Sequence, residues 1–481
     1  MKKSTFIITT LLILSGVIFI TCKKDKETIP EANVINSFIW KGLHDYYLWE
    51  ADVPNLSETT YPEGDKRNKL LNQYTDPQEL FKSLLYQPDV VDKWSFLVDN
   101  SKIIDDWTNA VSTTMGFDFV LYRVSSGSNN LVGIVRYVLK GTPAEKAGIK
   151  RGDLFMKIND TQLTISNYNT LLSNSSYKLT FAIDTNKVLT DSNKSVSMTA
   201  VEMQENPVFK DTIFTYKNQK VGYLCYNGFT SDFDIELNNV FKEFKDGGVN
   251  QLVVDLRYNG GGSVQSAIYL ASMIYSTESS KIFSKKVYNS LLQQYIVSKY
   301  GSSALEDHFT GTIAKTETAP AASINCLNLN KVYIIGTDNT ASASELLINS
   351  LRPYITVKLV GTKTYGKYVA SNTIKDWDQN GNVSTKHSYA MQPIVVKIAN
   401  SAGVTDFVNG LTPDINVQED VTNLLPLGEP VEPMLQAALN DMEGNVIASY
   451  PLKSAQMGMS KFMNGNMLKP FAGQMYISSF K

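Results

Sequence analysis

Across residues 33–110 apolar positions recur at helical spacing: Val34, Phe38, the group Trp40, Leu43, Tyr46 and Tyr47, then Leu48 and Trp49. Asp76-Pro77 opens a second such run through Leu80, Phe81, Leu84 and Leu85. The pattern predicts a small helical N-terminal domain whose aromatic residues are core. From Met115 the period shortens. Phe117 to Tyr122, Leu131 to Val138 and Leu154 to Ile158 are β-branched and aromatic runs that predict strands. Between the last two, Thr142 and Pro143 suit the cap and first position of a short helix, Gly148 its stop, and Arg151-Gly152-Asp153 a turn. Residues 186–215 continue as strands that lead out of this region. A third block opens at Lys220–Leu224 and continues in a helical pattern from Phe233 to Phe244, closed by Asp246-Gly247-Gly248. A buried-type strand, Gln251 to Arg257, then ends in Tyr258-Asn259-Gly260-Gly261-Gly262 before a helix over 265–273, and strands are predicted at Lys331–Gly336 and Val357–Gly361. The segments Val287–Ser303 and Thr310–Ser323 read as an insertion near the cleft. The tail from 441, with Met457, Met459, Met463 and Met467, carries no motif, and its methionines read as gap-filling core.

The chain of 481 residues is long enough for about three domains. Its 43% hydrophobic and 19% charged residues are those of a globular protein. A net charge of −2 offers no basic surplus for nucleic acid. Lys2 and Lys3 precede an apolar run from Phe6 to Ile20 that ends at Cys22, the layout of a secretory signal. That run is short for a membrane-spanning helix, which needs about 20 residues. Loss of residues 1–21 would leave 43 basic against 47 acidic residues, a charge of −4. Cys22 resembles the lipidated cysteine of a bacterial lipobox, with Phe19-Ile20-Thr21 a loose match and Lys23–Glu27 a polar tether. Ordinary signal cleavage or an uncleaved anchor is the alternative, but no Ala-x-Ala site is present. Cys225 and Cys326 are expected to be buried free thiols, and His44, His308 and His387 lack metal-ligand spacing.

The chemistry concentrates at two stretches. Asn339-Thr340-Ala341-Ser342-Ala343-Ser344-Glu345 follows the apolar run Lys331–Gly336, which suits a hydroxyl presented where a strand meets a helix. Lys367, in Thr364-Tyr365-Gly366-Lys367, follows a second strand-like run. A lysine shielded from water loses its preference for the charged form and can accept a serine proton. The plain alternative is a capped helix start and a surface lysine. The glycine run at 260–262 leaves backbone N–H groups open to an anion, either a phosphate or the oxyanion of acyl transfer. It lacks both G-x-G-x-x-G spacing and a G-K-[ST] ending, and a flexible turn is the third possibility.

Gly141 to Asp153 (GTPAEKAGIKRGD) resembles the PDZ pattern G-x-P-A-x-x-A-G-L-x-x-G-D. The resemblance implies extended peptides added to a sheet edge, with the Met115-Gly116-Phe117-Asp118 loop holding a terminal carboxylate. With D-L-R-x-N-x-G-G (255–262), T-A-S-A-S-E (340–345), Y-G-K (365–367) and G-L-T-P-D-I (410–415), the order is similar to that of the carboxy-terminal processing (tail-specific) serine proteases, in the lipoprotein form of Bacteroidetes-type bacteria. The resemblance covers about residues 35–440.

It implies a Ser342 nucleophile with Lys367 as general base, 25 positions apart, and selects Ser342 over Ser344. It implies an oxyanion hole from Gly261 or Gly262 with Ala343, and no metal or cofactor. Many members place a glutamine four residues after the lysine. Here that position is Ser371, expected to support the pair with a shorter reach. Spacing alone leaves His387 open as a partner.

The implied fold class is multi-domain α/β: a helical N-terminal domain, a PDZ-like β-rich domain and a crotonase/ClpP-like core of strand-strand-helix units. The expected divisions are a signal at 1–21, a tether at 22–33, and domains at 34–112, 113–186 and 187–440, with a tail at 441–481. The expected partners are polypeptides held by their C-termini and a membrane reached through lipid on Cys22, at the envelope's periplasmic or outer face, with no nucleic acid. A non-proteolytic envelope scaffold on the same fold is the alternative function.

Overall fold

The computed structural model describes residues 29–481, except 186–187, 317–318, 379, 406, 446–457, 469–470 and 478–481. The signal segment and Cys22 lie outside the described residues. No described helix is long and apolar enough to cross a membrane.

The N-terminal block is helical because its apolar stripe has somewhere to go. Helix Val34–Tyr46 starts at Asn33, whose side chain accepts the Asn36 N–H at 2.8 Å. It turns Phe38, Ile39, Trp40 and Leu43 onto Leu71 and onto Leu80, Phe81 and Leu84 from the Pro77 helix and its end. Each such side chain contributes about 1.5–3 kcal/mol on burial. The block is stitched to the distant chain by strand Phe96–Val98, which pairs with Ala390–Gln392. Of the segments expected as an insertion near the cleft, Val287–Ser303 completes strand Ile282–Tyr288 and forms helix Ser290–Tyr300, and Thr310–Ser323 holds the short strands Thr312–Ile313 and Ala322–Ser323. The first braces the N-terminal block, for Asn289 donates to the Tyr47 carbonyl at 2.9 Å.

A seven-stranded sheet follows, with the path Phe117–Arg123, Leu131–Val138, Leu154–Ile158, Ser176–Thr185 and Val188–Thr199. Thr142 caps the helix Pro143–Lys146 as the sequence predicts. The Arg151 turn docks this domain on the next. Its guanidinium donates to the Leu425 and Arg136 carbonyls, to the Tyr258 hydroxyl and to Glu419. Glu419 also binds Arg257, which is fully buried and forks onto Glu432 at 2.7 and 2.9 Å. Burial would raise the Glu419 pKa, but Arg151 and Arg257 override it and hold the carboxyl at about 2.

The third block is built on a six-stranded sheet in the order Val208–Tyr216, Gln219–Tyr226, Gln251–Asp255, Lys331–Gly336, Thr356–Gly361 and Ile415–Asn416. All neighbours but the first pair are parallel. Alternation along its strands serves two cores: Leu252, Val254 and Ile334 face helices Asp234–Asp246, Val264–Ile274 and Ala343–Leu351, while Val253 and Tyr333 face helix Pro433–Met442. Cys225 and Cys326 are both free and buried. A second six-stranded sheet, in the order Gly262–Ser263, Met475–Tyr476, Val369–Ser371, Ile394–Asn400, Ile282–Tyr288 and Glu306–His308, stands beside it. The tail that carried no motif therefore supplies a strand here, and a second one, Ser460–Asn464, on the edge of the seven-stranded sheet.

Candidate active site

Parallel strands bring their carboxyl ends together, and the loops that leave them form the site. Strand Gln251–Asp255 leads into the glycine turn, Lys331–Gly336 into Ser342, and Thr356–Gly361 into Lys367. Short bonds stitch these loops. The Thr340 hydroxyl donates to the Leu256 carbonyl at 2.7 Å and the Thr337 hydroxyl to that of Arg257 at 2.5 Å. The Asn259 carbonyl accepts the Ala341 N–H and the Ser344 hydroxyl, each at 3.1 Å. Ser344 is thereby committed to the scaffold.

Ser342 sits at the start of helix Ala343–Leu351 with φ 66° and ψ −116°. A non-glycine residue in that region stores about 1–3 kcal/mol. The side chain is fully buried, and Oγ has no hydrogen-bond partner among the described residues. Glu345, one turn into the helix, organises both halves of the site. Its Oε2 accepts the N–H groups of Ser342 at 2.8 Å and Lys367 at 2.9 Å, the acidic arm of an S-x-x-E capping exchange. Its Oε1 accepts the Thr364 hydroxyl at 2.6 Å and the Gly366 N–H at 2.7 Å. Four donors and no acceptor suit an ionised carboxylate. Burial nevertheless raises its pKa to about 7.

Lys367 is also fully buried, and desolvation pushes its pKa well below the ordinary lysine range against the opposing charges of Asp92 and Glu345. Its Nζ lies 5.2 Å from the centre of the Trp94 ring and donates to Gln474 Oε1 at 2.5 Å. The Gln474 amide in turn donates to the Trp94 carbonyl at 3.0 Å.

At the glycine turn, no side chain is tolerated. A Cβ on Gly262 (φ 130°) would stand 2.2 Å from the Phe229 carbonyl oxygen, and one on Gly261 (φ 110°) would stand 2.7 Å from Ser342 Cβ. The Gly261 N–H donates to Asn259 Oδ1 at 2.9 Å, and Asn259 Nδ2 donates to the Tyr226 carbonyl at 2.8 Å.

The structure thus brings Ser342, Ala343, Lys367, Gly261 and Gly262 together. It does not bring Ser371 to the amine as expected. That serine is four residues along an extended strand, and its hydroxyl donates to the Met475 carbonyl at 3.0 Å and accepts from Gln392. His387 packs against Phe38 with Asp376 at 3.5 Å. Met115 to Asp118 lie in the seven-stranded-sheet domain. There the Gly116 N–H is taken by the Thr114 hydroxyl, and the Asp118 carboxylate is buried on Arg136 at 2.8 and 3.0 Å. Sequence reasoning missed Asn259, Glu345 and Gln474. The S-x-x-E spacing could have found Glu345, whereas Gln474 lies 107 positions from its partner.

The architecture is that of a multi-domain α/β protein with a PDZ domain docked on a core whose reactive groups line the ends of parallel strands. Known families match it piece by piece: peptidase S41 N-terminal domain over residues 34–96, PDZ domain over 134–182 and peptidase family S41 over 220–417. The chain belongs to peptidase family S41. It is 25% identical over 310 residues to the carboxyl-terminal-processing protease of Picosynechococcus sp. (strain PCC 7002), covering 63% of this chain. It is 22% identical over 375 residues to a probable CtpA-like serine protease of Staphylococcus aureus (strain COL), covering 77%. The aligned parts span 64% of the length of each of these relatives. A Bacteroides fragilis NCTC 9343 protein of known crystal structure, named for the S41 proteases, is 26% identical with a TM-score of 0.64, over 85% of this chain and 98% of that one.

Proposed function

We propose that this chain is a serine endopeptidase of the carboxyl-terminal-processing type that works through a Ser342–Lys367 pair. The observation that carries the reading is the shared oxygen of Glu345: one carboxylate atom holds the backbone N–H groups of a strained serine, whose Oγ has no partner among the described residues, and of a desolvated lysine. Neutral Lys367 takes the proton from Ser342 Oγ as that oxygen attacks a peptide carbonyl. The oxyanion is held by backbone N–H groups of the glycine turn and of Ala343 at the helix start. Gly262 is favoured over Gly261 as the turn's donor, because the Gly261 N–H is engaged by Asn259. The protonated lysine gives its proton to the leaving amine, and water then releases the acyl-enzyme. In this reading the PDZ domain receives substrate C-termini at Met115–Asp118, and Cys22 carries lipid that tethers the exported enzyme to the cell envelope.

Incubation of an unstructured polypeptide with wild type, Ser342→Ala and Lys367→Ala, with products read by mass spectrometry, tests the assignment. Cleavage by wild type alone is expected. Equal cleavage by Ser342→Ala would overturn it.

A further inference from the structure

Both places where a polypeptide would dock are filled by the chain's own tail. The first is the free edge of the PDZ sheet. Strand Ser460–Asn464 pairs antiparallel with Phe117–Arg123, from Ser460 opposite Arg123 to Asn464 opposite Val120. It lies against helix Tyr168–Leu172, where Phe462 meets the Tyr168 ring edge-on at 5.3 Å, and Phe462, Met463 and Leu468 pack on the domain core. A peptide that adds a strand to this edge needs the same N–H and C=O groups and the same space.

The second place is the cleft. Strand Met475–Tyr476 runs parallel to Gly262–Ser263 on one side and to Ser371 on the other, closing a slot that those strands would otherwise leave open. The Ser371 hydroxyl holds the Met475 carbonyl, and the Ile477 N–H donates to the Ser371 carbonyl at 3.0 Å. At Ser342 itself, the Cβ position on Gly261 that lies 2.7 Å from Ser342 Cβ is 3.0 Å from the Gln474 carbonyl oxygen. The Gln474 carbonyl of the tail and the side chain of the candidate nucleophile therefore border the same small space beside Gly261. The Gln474 side chain meanwhile holds the Lys367 amine.

We propose that the tail is a built-in competitive inhibitor: residues 458–468 occupy the PDZ edge and residues 471–477 the cleft, and both leave before a substrate strand can enter. The proposal rests on Ser342 and Lys367 being the reacting pair. The order of contact explains why the tail blocks the site without acting as a substrate held by its end. A substrate with its C-terminus on the PDZ edge presents residues upstream of the held stretch to Ser342, whereas the tail presents residues downstream of it. The holds are short in sequence, one strand of five residues and one of two, and their release would also withdraw Met475 from the core and Phe471 from its stack on Phe96 at 3.8 Å.

The test uses the full chain with Phe462→Asp and Met463→Asp, which place charge against the PDZ core and touch no catalytic group. When only a fraction of molecules is open, apparent affinity falls by that fraction. The double variant should cleave an unfolded fluorescent casein with a KM about tenfold lower and an unreduced kcat. A synthetic peptide of residues 458–477 should inhibit it competitively. An unchanged KM with lowered kcat, both here and in Gln474→Ala, would overturn the proposal by making the tail a working part of the site. A binding arm is independent of turnover. Labelled 458–477 peptide should bind Ser342→Ala carrying the double substitution and not Ser342→Ala with the native tail. Binding to neither, or to both equally, sinks the inhibitor. The expected binding with no hydrolysis by any variant sinks the peptidase reading alone.

Discussion

Glu345→Gln is the substitution that most directly tests how the two halves of the site are held together. The carboxylate accepts four hydrogen bonds and is almost wholly withdrawn from water. In the folded chain its pKa is about 7 against an ordinary 4.5, a displacement equivalent to about 3 kcal/mol. The sign follows from proton counting. Between pH 4.5 and 7 the native state keeps a proton that the unfolded state has released, so stability falls as pH rises through this window and is flat above it. A carboxamide has no such dependence. Its NH2 turns two hydrogens toward donors where the protonated carboxyl of wild type turns one at pH 5, so about one further neutral bond is forfeited, worth about 1 kcal/mol.

Urea unfolding should therefore find Glu345→Gln less stable than wild type by about 1 kcal/mol at pH 5, and its stability relative to wild type higher by about 3 kcal/mol at pH 8. Activity should behave differently. The Ser342 and Lys367 backbones share one oxygen, and misplacement by 1 Å costs about 100-fold in rate, so kcat should fall by about that factor at pH 8, where the wild-type carboxyl is ionised. In wild type, a proton taken up near pH 7 has no acceptor among four donors, so the acid limb of the kcat profile should fall there. In Glu345→Gln the limb near pH 7 that belongs to this carboxyl should be absent. A variant with wild-type kcat and an unmoved acid limb would refute the role given to Glu345.

Two further substitutions probe the supports. Asn259→Ala strips partners from the Gly261 N–H and the Tyr226 carbonyl, at about 1–3 kcal/mol each, and should lower kcat with little change in KM. Steady-state kinetics beside a melting curve separates that from simple unfolding. Arg151→Ala leaves Glu419 with one of its two guanidinium partners and should lose about 3–5 kcal/mol in urea unfolding. Arg151→Lys should recover only part of this, because an ammonium cannot span the same four acceptors.

Much of the site was legible in order but not in depth. Ser342 was readable because a strand-then-helix junction is a local pattern, and Lys367 because it follows the next strand of the same parallel sheet. The PDZ domain was readable because one turn-helix-turn carries its backbone requirements in thirteen consecutive residues. Glu345 stood in view, yet its role depends on Thr364, Gly366 and Lys367 arriving around it, which no local pattern states. Ser371 was misread because a strand was treated as though it could return its fourth residue to the amine. The extended backbone carries that hydroxyl to Met475 instead. The tail was opaque for a related reason. Its two strands have no alternation long enough to register, and their partners lie more than a hundred positions upstream.

The buried charges around Arg151 limit what can be exchanged between such proteins. A PDZ domain grafted from elsewhere without an arginine at this turn would leave Glu419 short of one countercharge in a largely buried joint, and Arg257 beside it with its surroundings altered. The domain is in that sense keyed to its core. If this domain receives substrate C-termini as proposed, changes in preference would have to come through residues along the Phe117–Arg123 edge, with the turn left alone, and a library that shuffles whole modules should lose folded chains at this joint first.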